Sequence, residues 1–465
     1  MKFVVLLMCV LGLAACQDEA KRAVVMAESP DGHQFAFVQV DEEGKTDVAI
    51  NVAWPTDWAR NAALNPMVPL VASEALLNGG TKQYSASEIM NGFDEKNARG
   101  LVYVTPDHAR GELNFPKEHM AFVLDVASAA LADPTYDPIW LERAQQGVLD
   151  QVANQNTETN SQMWTAARKA ILAEDPLDRY LSLRVEAAPN QVTRQEALEW
   201  HRGVFTKAQA VVSVVGGLSE AEAGAAVDQL LAGLPEGRPN GSAVAGEMAT
   251  AKVNFAPRRI FLHLPEAAKT TMGLLGRMPD TTQPGEEKDL LALHFFGRQD
   301  GVLTKAMRDE LRASYVAQSG LVNYDRATRV FYIYSEVGAE KLGQAFDLAA
   351  QTYAQFRAQP DFTGFEAFQV KFGEDVGKNI AYFDIAARAM TEHMLDGRDP
   401  AGALSLDALF VDASTEAVAL RLQNAFPAAE DLILVAAGPD ASQWPGACVI
   451  TEIAEAALCP VVHGS

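Results

Sequence analysis

The sequence predicts an α+β protein made of two similar domains in tandem, and three observations support this prediction. The chain has 465 residues, of which 48% are hydrophobic and 21% charged, a composition typical of a globular protein too long for one core. An apolar, strand-like run that ends in glycine occurs at 210–217 and again, about half a chain later, at 432–438. Residues 235–242 are polar and turn-rich, which is typical of a linker between two halves. Together these features indicate a duplicated unit.

The first half begins with two segments of strand-like sequence. Residues 35–40 and 48–54 are rich in β-branched and aromatic residues, and Glu43-Gly44 between them is a turn signal. This pattern predicts a β-hairpin. Helical sequence follows, with a capping box at Ser85 and Glu88. The half closes with the strand-like run at 210–217 and an alanine-rich helix.

The second half repeats this arrangement. Residues 259–264 and 331–334 are strand-like, residues 290–312 have the pattern of a helix, and the strand at 432–438 closes the half. We therefore place an N-terminal domain at 31–235, a linker at 236–256 and a C-terminal domain at 257–465.

The N-terminus has the form of an export signal. Lys2 precedes an apolar run, residues 3–13, which is too short to remain as a membrane span. The run ends in Leu-Ala-Ala-Cys, which resembles the bacterial lipoprotein signal, so we expect a signal peptide at 1–15, acylation of Cys16 and a tether at 16–30. Gln17 after the cysteine favours the outer membrane, with the protein facing the periplasm of the bacterial cell envelope. The alternative is an ordinary secretory signal that contains a cysteine by chance.

Two further cysteines and the overall charge limit what the chain can bind. Cys448 and Cys459 can pair in an oxidising compartment, and so short a loop contributes at most about 3 kcal/mol. The net charge of −23 disfavours nucleic acid and anionic lipid surfaces as partners, and it suits basic peptides. The eight histidines never fall within five residues of one another, so the chain offers no local histidine pair to a metal ion.

One segment resembles a known metal site that has lost its ligands. Residues 69–89 resemble the helix and Gly-Thr loop that carry the inverted zinc motif, His-x-x-Glu-His, of the pitrilysin/insulinase family. In that register Val71 and Ala75 occupy the two histidine positions, Glu74 occupies the position of the base, and Gln151 occupies that of the third ligand. Since neither an alkyl group nor a neutral amide replaces these ligands, we expect no metal in this chain and zinc in a partner subunit. Glu74 on its own is typical of an ordinary helix carboxylate.

A second segment resembles the part of the family that stabilises the transition state. Residues 301–315 resemble the C-domain pattern in which an arginine and a tyrosine seven residues later reach the zinc site of a partner domain. The resemblance assigns these roles to Arg308 and Tyr315, which would donate hydrogen bonds to the developing oxyanion in trans. Arg312 is the rival for the arginine role. By spacing alone, the pair would be a salt-bridging residue and a packing residue.

The combined resemblance is to the degenerate, non-catalytic subunit of the two-chain bacterial members of this family. It implies tandem α/β-sandwich domains of the insulinase-like or mitochondrial processing peptidase-like kind. It also implies a partner with an intact His-x-x-Glu-His, peptide substrates and a chamber that forms when the two chains close. A purely structural protein of the same fold is the alternative, because respiratory-complex core subunits resemble this family and have also lost their zinc residues. An independent enzyme is disfavoured, since no Ser/His/Asp or Cys/His constellation is present.

Overall fold

The computed structural model describes residues 23–41, 44, 46–61, 63–173, 175–181, 191–237, 252–313 and 317–462. Within these residues the chain forms two separate six-stranded sheets with helices packed against them, which confirms the predicted α+β fold of two similar units. None of the described helices is long and apolar enough to cross a membrane.

The first half contributes six strands and eight helices to the described structure. Its strands are β1 (Val25–Glu28), β2 (Gln34–Gln39), β3 (Asp47–Pro55), β4 (Arg99–Val104), β5 (His108–Pro116) and β6 (Val211–Gly216). Its helices are α1 (Met67–Asn78), α2 (Ala86–Glu95), α3 (Met120–Ala132), α4 (Pro138–Thr157), α5 (Thr159–Leu172), α6 (Leu177–Leu181), α7 (Arg194–Val204) and α8 (Glu220–Leu231). The predicted capping box of Ser85 and Glu88 is confirmed at the start of α2.

The second half contributes the same number of described strands and helices. Its strands are β7 (Arg259–His263), β8 (Thr270–Met278), β9 (Ala317–Asp325), β10 (Thr328–Val337), β11 (Ile433–Gly438) and β12 (Cys448–Ile450). Its helices are α9 (Glu286–Gly297), α10 (Val302–Lys305), α11 (Leu342–Ala358), α12 (Phe365–Ile380), α13 (Phe383–Leu395), α14 (Pro400–Ala403), α15 (Leu406–Asp412) and α16 (Thr415–Ala425). A π-helical turn, Ala306–Glu310, continues α10.

The duplication is visible in the strand order. The first sheet runs β1-β2-β6-β3-β5-β4, and the second runs β12-β7-β11-β8-β10-β9. In each sheet the closing strand, β6 or β11, is parallel to one neighbour and antiparallel to the other. Each closing strand ends in a glycine for the same reason, which is that a side chain at this position would collide with the neighbouring strand. A Cβ on Gly216 would lie 2.7 Å from the carbonyl oxygen of Asp47, and one on Gly438 would lie 2.5 Å from Oγ1 of Thr270. Asp47 and Thr270 each begin the antiparallel neighbouring strand, so the two glycines allow equivalent close approaches.

The predicted hairpin at 35–54 is wrong. β2 and β3 are strands, but β6 lies between them and pairs with both, through Phe37 and Ile50, which flank Val214. Local turn signals do not show that a strand from much later in the chain fills the gap between two consecutive strands.

Two other expectations need correction. The helix predicted at 290–312 ends at Gly297, because the next residue, Arg298, has an extended backbone conformation with ψ of 160°. The chain then forms the short α10 and the π-helical turn. Part of the expected tether at 16–30 is β1, which pairs antiparallel with β2 and buries Ala27. Cys16 lies outside the described residues.

Each half covers a sheet of the other half. α13 lies across β3 and β6, where Ser213 Oγ donates to the carbonyl oxygen of Ala387 at 2.6 Å. α5 lies across β8 and β11, and its Trp164 packs edge-on against Tyr332 of the adjacent β10 with ring centroids 5.4 Å apart. Because each helix completes the core of the other domain, the two domains form one interlocked body.

Ion pairs also join the halves. Arg388 on α13 binds Glu112 on β5 with two hydrogen bonds of 2.8 Å, a bidentate geometry that strengthens the pair. Nearby, Arg110 donates to Glu392. Burial opposes ionisation of Asp107, but the hydrogen bond from His108 and the charge of Arg326 hold the pKa of that carboxyl well below its usual range. The contacts of Arg388 and Glu392 hold α13 on the first sheet.

Candidate functional site

The positions of the lost zinc motif lie on α1. Val71 and Ala75 are four residues apart, and both are at most 1% exposed. This face of the helix is therefore part of the hydrophobic core. Glu74 is exposed, and its carboxylate has no hydrogen-bond or ion-pair partner among the described residues. Glu74 thus occupies the position assigned to the base, with alkyl side chains at both neighbouring histidine positions.

Gln151, the expected third position, lies across from α1 on α4. The packing of α4 against α1 brings Glu74, Ala75 and Gln151 to a common cavity of about 580 Å³. Val71 is fully buried and does not line this cavity. The described residues that line it are Leu70, Ser73, Glu74, Ala75, Asn78, Tyr103, Val104, Trp140, Arg143, Ala144, Gly147, Val148, Gln151 and Tyr180.

The cavity wall contains aromatic and polar groups but no imidazole or thiol among the described residues. Tyr103 donates its hydroxyl to Glu112 at 2.9 Å, and burial raises the pKa of Tyr103 to about 12. Burial also raises the pKa of Tyr180 to about 12, so both phenols are protonated at neutral pH. No group of three or more His, Cys, Asp or Glu side chains in the described part of the chain could hold a metal ion. This donor set does not fit a catalytic zinc ion.

Arg308 lies on the π-helical turn that follows α10. Its Nε donates to Oδ1 of the adjacent Asp309 at 2.9 Å, and this hydrogen bond and charge raise the pKa of the guanidinium. Arg308 does not line the cavity, whose described lining comes entirely from residues 70–180. Tyr315 lies outside the described residues, so its role beside Arg308 remains a prediction.

The backbone after Arg308 has an unusual conformation. Arg312, the rival arginine, has a φ of +52°, a left-handed value uncommon for a residue with a side chain. Lys341 fixes this part of the chain, because its Nζ donates to the carbonyl oxygens of Leu311 at 3.0 Å and Arg312 at 2.8 Å. π-helical turns and strained residues are often found at functional sites. Sequence reasoning missed Lys341, because nothing in its local sequence indicates a contact with residues 311–312.

The two cysteines predicted to pair lie near the C-terminal end of the chain. Cys448 and Cys459 form a disulfide, with Cα atoms 5.8 Å apart, which ties β12 to the C-terminal segment.

Sequence reasoning also missed three residues of the cavity on α4, namely Trp140, Arg143 and Gly147. Only their spacing along one face of a helix that contains Gln151 could have indicated them.

Comparison with known proteins gives a matching family model and several similar structures. Residues 191–366 match a family model described as the peptidase M16 inactive domain. The crystal structure of a peptidase M16 inactive domain from Pseudomonas fluorescens has a TM-score of 0.78 and 18% identity, and the match covers 91% of this chain and 100% of that one. A protease from Helicobacter pylori has a TM-score of 0.74 and 13% identity, covering 90% of this chain and 100% of that one.

The third similar structure is one half of a longer protein. The first half of the periplasmic protease PqqL from Escherichia coli has a TM-score of 0.70 and 13% identity, with 94% of this chain and 96% of that one covered. In the full PqqL structure the match covers 50% of the chain. At these identities the likeness shows the fold. No curated protein matches the sequence significantly.

Proposed function

We propose that this chain, a non-catalytic member of the M16 peptidase family with the inactive-domain match at residues 191–366, is one subunit of a heterodimeric periplasmic zinc metallopeptidase. In this proposal it supplies Arg308 and Tyr315 to the zinc site of a partner chain with an intact His-x-x-Glu-His. The cationic and phenolic donors bind the substrate carbonyl and stabilise the oxyanion as a peptide bond is hydrolysed.

The observation that carries this proposal is the contrast between the two segments. The zinc positions are occupied by core alkyl groups and an amide, whereas Arg308 is on a partly exposed turn that Lys341 holds in place. A partner would complete the chamber. A peptide substrate would bind there as an added strand on a sheet edge. The experiment is to mix the chain with its zinc-bearing partner and compare peptide hydrolysis with that of either chain alone.

A purely structural role is the second candidate. The pairing of Arg308 with Asp309 favours it, because a guanidinium already engaged by a neighbouring carboxylate is also what a simple surface ion pair looks like. In that case the chain would assemble with a partner but add nothing to its turnover.

Metal analysis gives a direct check on the non-catalytic assignment. We expect the purified chain to retain no stoichiometric zinc after dialysis against zinc-containing and then metal-free buffer, because positions 71, 75 and 151 offer no imidazole or carboxylate. The zinc-bearing partner, treated in parallel, is the positive control. About one zinc per chain in the isolated protein would contradict the prediction.

The proposed location is the periplasmic side of the outer membrane, with a lipid anchor on Cys16. We expect Cys16→Ser to move the protein from the membrane fraction to the soluble fraction, because the apolar segment before it leaves with the signal peptide. Cys448→Ser, which removes a different cysteine, should leave the fractionation unchanged. Sedimentation of the Cys16→Ser protein with outer membranes would argue against the lipid anchor.

A further inference from the structure

The two helices that cross between the halves are held in different ways. α13 is fixed on the first sheet by ion pairs that Arg388 and Glu392 form with β5. Within the described part of the chain, the one ion pair of α5 joins Lys169 to Asp178 of the same half. The position of α5 on the second sheet therefore depends on packing and on hydrogen bonds to its backbone.

The C-terminal segment forms part of the surface on which α5 packs. A 3₁₀-helix, Ile453–Leu458, contacts α5, which also contacts β8 and β11. Ile453 and Ala456 are buried in the same apolar core as Met163 and Ala166 of α5. Because this segment lies beyond the last strand of the second half, α5 of the first half depends on a peripheral part of the other half for its packing.

A buried arginine links this segment to the end of α5. Arg258 is 5% exposed. Its Nε donates to the carbonyl oxygen of Cys459 at 3.1 Å, and another guanidinium nitrogen donates to the carbonyl oxygen of Ala170 at 3.5 Å. The backbone nitrogen of Asn254 donates to the carbonyl oxygen of Ile171 at 2.8 Å. One guanidinium group therefore joins the backbone at Cys459 to the last turn of α5.

The disulfide closes this segment onto the edge of the second sheet. Cys448 belongs to β12, which has only three residues, and its bond to Cys459 gives the segment a covalent attachment to that strand. Cys459 is buried, whereas Cys448 is half-buried and the neighbouring Leu458 is 84% exposed. The disulfide therefore lies close enough to the surface for a small thiol to reach it.

We propose that this disulfide is a redox-sensitive clamp that holds α5 of the first half on the sheet of the second half. A dithiol supplies two electrons and two protons. The S–S bond breaks, each cysteine sulfur gains a hydrogen, and the dithiol becomes a cyclic disulfide. The segment then loses its covalent closure and α5 loosens, while α13 keeps its ion pairs. The clamp involves neither Arg308 nor Tyr315, so it goes beyond the proposed function and is tested without a partner.

The test is hydrogen exchange of the isolated chain, followed by mass spectrometry, before and after reduction with dithiothreitol. We expect the amides of α5 to exchange about tenfold faster or more after reduction, because local opening of the helix becomes easier. The amides of α13, the internal control, should change by less than about twofold. Faster exchange confined to residues 448–462 would show a local staple and overturn the proposal, as would an equal acceleration of α5 and α13.

A variant without the disulfide separates its loss from other effects of the reductant. Cys448→Ala/Cys459→Ala should exchange like the reduced chain in the absence of dithiothreitol, and dithiothreitol should not change it further. A double variant in which α5 exchanges as slowly as in the oxidised chain would contradict the clamp.

The link through Arg258 is tested with the disulfide intact. Arg258→Met should also accelerate exchange in α5, because it removes the hydrogen bonds to Cys459 and Ala170. The matched control is Arg357→Met, which loses guanidinium hydrogen bonds to the carbonyl oxygens of Phe426 and Gln423, away from α5. The control should leave exchange in α5 unchanged. Equal exchange of α5 in the two variants would refute the role of Arg258.

Discussion

Tyr315→Phe is expected to leave the heterodimer intact and to lower its kcat by about 10²- to 10³-fold, the usual effect of removing one oxyanion donor. The substitution removes only the hydroxyl group, so packing and assembly should be retained. The measurement is peptide hydrolysis by the mixed chains under saturating substrate, after the heterodimer has been confirmed by size. An assembled Tyr315→Phe complex with unchanged kcat would contradict the composite site and favour the structural role.

Arg308→Ala should act in the same direction, with some additional loss of substrate binding, because the guanidinium both attracts the carbonyl and stabilises its charge. Lys305→Ala is the matched control, since Lys305 is an exposed cation on the adjacent α10, and it should have little effect. Arg312→Ala decides between the two arginines. If Arg312→Ala lowers kcat and Arg308→Ala does not, the role assigned to Arg308 is wrong.

The lost metal site could be predicted in some detail from the sequence, because its positions keep the helical spacing that places Glu74 and Ala75 on one element. The resemblance also placed Gln151 opposite them, and all three residues line one cavity. Arg143 and Gly147 could not be predicted, because an exposed arginine and a mid-helix glycine have many ordinary explanations. Their meaning depends on the empty space that α1 and α4 leave between them.

The strand content was predictable, but the strand order was not. β2, β3 and β6 are each apolar, β-branched segments, and local patterning identifies them well. Their order depends on β6 entering between two strands that precede it by more than 150 residues, as its pairing with Phe37 and Ile50 shows. The contacts of Arg388 with Glu112 and of Arg110 with Glu392 are equally remote in sequence, so no local pattern indicates them.

The charge cluster under α9 has the largest expected effect on folding stability. Asp289 is fully buried and accepts a hydrogen bond from Arg329 at 3.0 Å and two from Arg421 at 2.7 and 2.9 Å. Arg329 is itself only 1% exposed, and its other acidic partner, Glu286, is more distant at 3.4 Å. Asp289 therefore binds two guanidinium groups, one from β10 and one from α16.

Asp289→Ala should lower the free energy of unfolding by about 3–5 kcal/mol, because removing one partner of a buried pair leaves the other charge uncompensated. Urea denaturation measures the change through the midpoint of the transition. The control is Asp133→Asn, which breaks an ion pair on the surface, where the side chain of Asp133 is 61% exposed and that of Lys82 is 72% exposed. This control should lower the free energy of unfolding by less than about 1 kcal/mol. If the two variants shift the midpoint equally, the buried cluster contributes no more than a surface ion pair, and the lost charge at Asp289 is compensated by water or by Glu286.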